Sequence, residues 1–184
     1  MSELVLRAAR PDDAKAIAAI YAHHVLHGFG TFENVPPSPD QMAERMAAIL
    51  KHGLPYTVAL RDDQILAYAY ASPFRLRAAY GYTVEDSIYV APNAVGAGIG
   101  KALLGNVLDA CTALGLRQVI AVIGDSENAG SIGLHRALGF EMMTTLTGVG
   151  YKHGRWVNSV WMQKPLNGGT DSAPNAPGLN LSAV

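Results

Sequence analysis

The junction at residues 89–111, YVAPNAVGAGIGKALLGNVLDAC, restricts what this chain can fold into more than any other stretch. A β-type run, Ile88-Tyr89-Val90, passes through three alternate glycines, Gly96, Gly98 and Gly100, into a segment of helical periodicity. There Leu103, Leu104, Val107, Leu108, Cys111 and Leu114 recur at helical spacing until Gly115 ends the helix. A glycine turn at the mouth of a helix offers bare N–H groups at the positive end of the helix dipole, with no Cβ to keep an anion away. The turn therefore calls for a ligand that carries phosphate.

The flanking segments supply the rest of a mixed sheet. ELVLRAA reads as a strand, and RPDDAKAIAAIYAHHVL as a helix with Pro11, Asp12 and Asp13 in its first turn. After the loop HGFGTFENVPP, a second helix starts at the capping box Ser38-Pro39-Asp40-Gln41 and stops near Gly53. YTVALRDDQILAYAYASPF reads as a hairpin turning at Arg61-Asp62-Asp63, and AAYGYTVEDSIYV as a third long strand. Beyond the glycine turn come a helix, the buried strand RQVIAVIG, the helix SIGLHRAL closed by Gly139, and two strands in GYKHGRWVNSVWMQKPL. The order β-α-α-β-β-β-α-β-α-β-β predicts an α/β (α+β) fold, a mixed sheet with helices on both faces. Residues 1–166 form one domain. The tail 167–184, NGGTDSAPNAPGLNLSAV, has no packing pattern and is expected to be disordered or accessory.

Composition narrows the ligand. The 184 residues are 49% hydrophobic, enough for one core. A net charge of -1 without a basic block excludes a nucleic-acid footprint, and no run approaches the ~18 apolar residues of a membrane span. One cysteine, Cys111, permits no internal disulfide, and MSELVLRAARPDD has no apolar signal core, so a cytoplasmic protein is expected. No metal is expected: His23 and His24 point about 100° apart on a helix, lack partners at ligand spacing, and read as surface residues. No G-x-S-x-G elbow suggests a serine hydrolase.

Ile88-Tyr89-Val90, GAGIGKALL and NAGSIGLHRALGF, in that order, resemble the core of the GCN5-related N-acetyltransferases. SPFRLRAAYGYTVEDSIYV, VIAVIG and YKHGRW are similar to the phosphinothricin and methionine sulfoximine N-acetyltransferases, from about residue 4 to 166. The resemblance implies a mostly antiparallel sheet whose central strands splay apart to hold acetyl-CoA. It also implies a small amino-acid analogue as acceptor, and a homodimer. The pyrophosphate is expected on the N–H groups of Gly96, Ala97, Gly98, Ile99, Gly100 and Lys101, although Val95 stands where the family pattern has Arg or Gln. Ile88, Tyr89 and Val90 would pair with the pantetheine arm, Val90 N–H would stabilise the oxyanion, and Asn128 would contact CoA or cap its helix.

For chemistry, the ammonium of the acceptor must lose a proton. Glu85 is the expected base; its neighbour Asp86 is the rival, aimed by strand alternation at the other face. His135 stands where many relatives carry a tyrosine that protonates the departing thiolate, and can serve as acid, substrate ligand or structural residue. Arg75 and Arg77, at i and i+2 on a strand, are expected to fork onto a substrate carboxylate, with Leu76, Ser87, Phe32 and Tyr80 or Tyr82 walling the pocket and Lys152-His153 within reach. Direct transfer in a ternary complex is expected because Cys111 lies on a buried stripe. A protein or polyamine acetyltransferase, or a CoA-binding module without turnover, are the alternatives.

Overall fold

The computed structural model describes residues 2–181. Seven strands and four helices follow the expected order: β1 (Val5–Ala8), α1 (Ala14–His27), α2 (Pro39–Lys51), β2 (Tyr56–Arg61), β3 (Gln64–Pro73), β4 (Thr83–Val90), α3 (Ile99–Ala113), β5 (Gln118–Gly124), α4 (Ala129–Ala137), β6 (Glu141–Lys152) and β7 (Arg155–Pro165). The sheet runs β1-β2-β3-β4-β5-β7-β6, antiparallel throughout except between β4 and β5.

Strand alternation sorts the helices onto two faces. Tyr89 meets Tyr21 of α1 edge-on at 4.9 Å, whereas its neighbours Ile88 and Val90 close around Gly100 of α3 together with Leu134 of α4. Helix α2 lies beside α1. The α3 stripe is buried as expected from Leu103 to Cys111, but Leu114 falls at the C-cap and is exposed, because the helix ends before its next turn reaches the sheet. Ser38 accepts from Gln41 N–H and Gln41 reaches back to Ser38 N–H, the expected capping box. Asp13 does more than complement a dipole. It accepts from Arg10 N–H at 2.7 Å and from both Arg7 Nη atoms at 2.7 and 2.8 Å, pinning β1 to the start of α1.

Three expectations change. Arg75 and Arg77 do not lie on a strand: residues 74–82 form a loop with a single 3-10 turn, Ala78–Tyr80, and β4 starts only at Thr83. Pro11–Asp13 is likewise a 3-10 turn rather than the first turn of α1. The tail is packed as far as Leu181 rather than loose: Arg117 Nε donates to Gly169 O, its Nη2 to Ser172 O and Oγ, Tyr82 Oη to Ala176 O, and Leu181 is buried. Arg117 is itself almost fully buried and charged, so it needs these carbonyls, a requirement that tail composition does not display. Residues 182–184 lie outside the described part.

Candidate active site

The parallel ladder between β4 and β5 is short, running from Thr83↔Gln118 to Asp86↔Ala121. Beyond it β5 stays with β7, through Gly124↔Ser159, and leaves β4 behind. Ala91 N–H bonds to Leu66 O and Thr83 O accepts from Phe74, so odd residues of β4 aim their main chain at β3 and even residues at β5. The N–H groups of Ile88 and Val90 therefore face the gap. A cavity of about 490 Å³ opens there, lined by β4, the glycine turn, β5 and α4.

At its outer end Gly96 and Gly98 hold φ of +83° and +74°, and a Cβ on either would meet nothing within 4 Å: the turn is a bare concavity. Gly98 is the N-cap of α3, so the N–H groups of the first helical turn point into it. Ile88, Tyr89, Val90, Gly96, Gly98, Ile99, Gly100, Lys101 and Asn128 all line the cavity; Ala97, on the exposed side of the turn, does not. Asn128 is also the expected N-cap, accepting from Ser131 N–H at 3.1 Å.

At the inner end the two adjacent acids part company. Asp86 faces α4, where Oδ2 lies 3.0 Å from His135 Nε2; both residues line the cavity. Glu85 sits half-buried on the reverse face and does not line the cavity. Burial raises the Glu85 carboxyl above its ordinary range, the Asp86 charge adds to the rise, and the Arg75 guanidinium opposes it. Burial alone would lower His135, but the hydrogen bond and charge of Asp86, helped by the Ser131 carbonyl, outweigh it and the imidazole is raised. Ser87, Tyr70 and Tyr89 stand with Glu85 on the α1/α2 face; Tyr70 bonds to Ser87.

The arginine pair is not assembled. Arg75 folds back, its guanidinium 4.3 Å above the Phe74 ring and Nη1 donating to Phe74 O; Leu76, Arg77 and Tyr80 are exposed in the same loop and none of the four lines the cavity. Phe32 is wedged where a Cβ on Gly124 or Gly150 would strike its ring, which fixes the α1–α2 loop over the end of β5. Lys152, buried, ties the β6–β7 hairpin to that loop by donating to Thr31 O at 2.7 Å, and His153 meets Phe29 edge-on at 5.3 Å; both hold the wall rather than line it.

His24 is the residue that sequence reasoning missed. It lines the cavity, and its Nε2–H donates to Val90 O at 2.9 Å, occupying a β4 carbonyl that faces the gap. Burial lowers its pKa, opposed by the Val90 bond, so the ring is neutral and the carbonyl fixes its tautomer. Only the distant packing of α1 against β4 brings it there. Among the described residues no group of three or more His, Cys, Asp or Glu could hold a metal ion, and no helix is long and apolar enough to cross a membrane.

A helix-opening glycine turn beside two parted parallel strands defines a class, and the sequence comparisons agree: the acetyltransferase (GNAT) domain model matches residues 6–161. The chain belongs to this family of acetyltransferases. It is 50% identical to the phosphinothricin N-acetyltransferase of Alcaligenes faecalis over 169 residues, 92% of this chain and 86% of that protein. It is 34% identical to the L-methionine sulfoximine/L-methionine sulfone acetyltransferase of Salmonella typhimurium, over 94% of this chain and 99% of that one. The crystal structure of a phosphinothricin acetyltransferase from Sinorhizobium meliloti in complex with AcCoA superposes with a TM-score of 0.93 at 48% identity, covering 99% of this chain and 98% of that one.

Proposed function

We propose that the protein transfers the acetyl group of acetyl-CoA directly to the α-amino group of a small amino-acid analogue of the phosphinothricin or methionine sulfoximine type. The observation that carries this reading is the parting of β4 from β5 above a bare glycine turn. The gap-facing N–H groups of Ile88 and Val90 suit an extended amide arm, and the Gly96–Lys101 concavity suits a pyrophosphate. The named relatives act on such analogues.

Chemistry follows from the two faces. The acceptor approaches on the α1/α2 side, where Glu85 takes a proton from its ammonium group. The freed amine attacks the thioester carbon, and the oxyanion rests on a gap-facing N–H near Val90. Collapse breaks the C–S bond as the attacking nitrogen sheds its second proton to the departing thiolate, leaving the amide and free CoA thiol. Arg75 is near enough to Glu85 to oppose the rise of its carboxyl, so an acceptor with ammonium and carboxylate on one carbon can span the two. A detour through Cys111 is disfavoured: burial, then the Asp86 charge, push its thiol to about 12, and it does not line the cavity. That buried free thiol also suits a reducing cytoplasm. The protein pairs as a homodimer, for which the open edge of β6 is the natural seam.

The test is thiol release from acetyl-CoA across phosphinothricin, methionine sulfoximine, methionine sulfone, ordinary amino acids, spermidine and a peptide N-terminus. The anionic analogues are expected to give the highest kcat/KM. Spermidine or the peptide leading the series overturns the proposal.

A further inference from the structure

The Asp86–His135 pair has one open valence, and it does not belong to the histidine. Nδ1 lies 2.8 Å from the Ser131 carbonyl oxygen, which only accepts, so Nδ1 carries a proton and donates. Nε2 faces Asp86 Oδ2 at 3.0 Å. Both ring nitrogens are thereby committed, inside a site where the two side chains are 3% and 1% exposed. Asp86 Oδ1, by contrast, is buried without any hydrogen-bond partner, on a residue that lines the cavity. A buried carboxylate oxygen left unpaired is costly, and natural proteins retain one chiefly where something else completes it.

We infer that Asp86, held in place by His135, is a ligand-facing acceptor for a hydrogen-bond donor of the CoA arm, and that His135 acts through it as a positioning residue. The donor is an amide N–H or, in the product, the S–H. This rests on the reading of the cavity as the acetyl-CoA site. Asp86 stands at the last rung of the β4–β5 ladder, the deepest point of the gap, so what reaches it is the inner end of the arm. Around the pair, the neutral Cys111 thiol of α3 stands near the carboxylate, Phe140 turns its ring edge-on to the imidazole at 5.0 Å, Ser131 supplies carbonyl and hydroxyl from α4, and Glu85 lies on the reverse of β4. Lys101 lines the same cavity from the start of α3. With its pKa raised, His135 keeps its second proton above the ordinary histidine range and loses it as pH rises through the raised value.

Two measurements on the full chain test this. Calorimetric titration of Asp86→Asn with CoA and with acetyl-CoA is expected to show about tenfold weaker binding than wild type, the scale of a charged hydrogen bond made neutral. Loss for CoA alone identifies S–H as the donor, and equal loss for both identifies an amide N–H. Unchanged affinity for both overturns the proposal. Imidazole ¹⁵N spectra of the wild-type protein need no variant: His135 should titrate above the ordinary histidine range, and its resonances should shift when CoA is added. A His135 that titrates at or below the ordinary histidine range, or resonances indifferent to saturating CoA, also overturns it. Wild-type protein that fails to bind CoA at all would instead refute the proposed function.

Discussion

Glu85 and Asp86 are adjacent and have opposite surroundings: one is half-buried on the α1/α2 face, the other buried against His135. If Glu85 takes the ammonium proton, Glu85→Gln keeps size and hydrogen bonding but removes the acceptor, and kcat should fall about 10²- to 10⁴-fold in steady-state assays. Near-wild-type kcat would move the base elsewhere. The direction of the pH profile follows from the raised carboxyl. A base whose pKa is raised stays protonated, and idle, to higher pH, so kcat/KM should climb through a value above the ordinary glutamate range; Arg75→Ala removes the opposing charge and should move that climb to still higher pH. The substrate amine titrates as well, so the comparison must be made on one substrate.

At the scale of elements, the glycine turn works by what it lacks. Gly98→Val would fill a concavity now free of neighbours and force a β-branched residue to φ of +74°, so CoA affinity by calorimetry should drop at least tenfold, with melting lowered by the strain of about 1–2 kcal/mol. Unchanged affinity would place the phosphates elsewhere. Asp13 is the other element-scale hinge of stability. The hydrogen bond from Arg7, then that from Arg10 N–H, holds its carboxyl below the ordinary range against its burial. A depressed carboxylate stabilises the fold above its unfolded pKa and loses that contribution as pH falls, so Asp13→Asn should lower melting near neutral pH and flatten the acid limb measured by calorimetry.

Much of this element structure was legible in the sequence because it is local. Periodicity announced α3, the capping box announced α2, and the three glycines announced the turn that opens α3. The sequence was misleading where a role depends on a partner far along the chain. FRLR alternates like a strand, yet β3 ends at Pro73 and the arginines fall in a loop; with no sheet to align them, Arg75 lies on Phe74. His24 looked like a surface residue because nothing near it in sequence says that Val90, sixty-six positions on, will present a carbonyl. Alternation did predict that only one of Glu85 and Asp86 would face a given side, but not that His135 would claim the second.

For the molecule as a whole, two borders are open to experiment. The β6 edge exposes Met142, Met143, Leu146, Val149, Tyr151 and Trp156 on a long strand that has a neighbour on one side only. Sedimentation should find a dimer, and Met143→Lys with Trp156→Glu should shift it toward monomer; a wild-type monomer would contradict the pairing proposed above. At the other border, Arg117 closes the C-terminal segment against the end of α3. Arg117→Ala should free that segment to proteases and lower the melting temperature by several degrees, because the tail's main-chain acceptors lose their donor together.

The short β4–β5 ladder also makes this sheet an instrument that reports its own occupancy. In a continuous sheet the amides of a central strand are the slowest to trade hydrogen for deuterium. Here Ile88 and Val90 sit in the middle of the order of strands yet face empty space, so their amides should label on the timescale of surface loops while Val84 and Asp86, a few residues away, stay dark. A ligand that lays its own amides along β4 acts as the absent strand, and protection should appear at those two positions and nowhere comparable in β1 to β3.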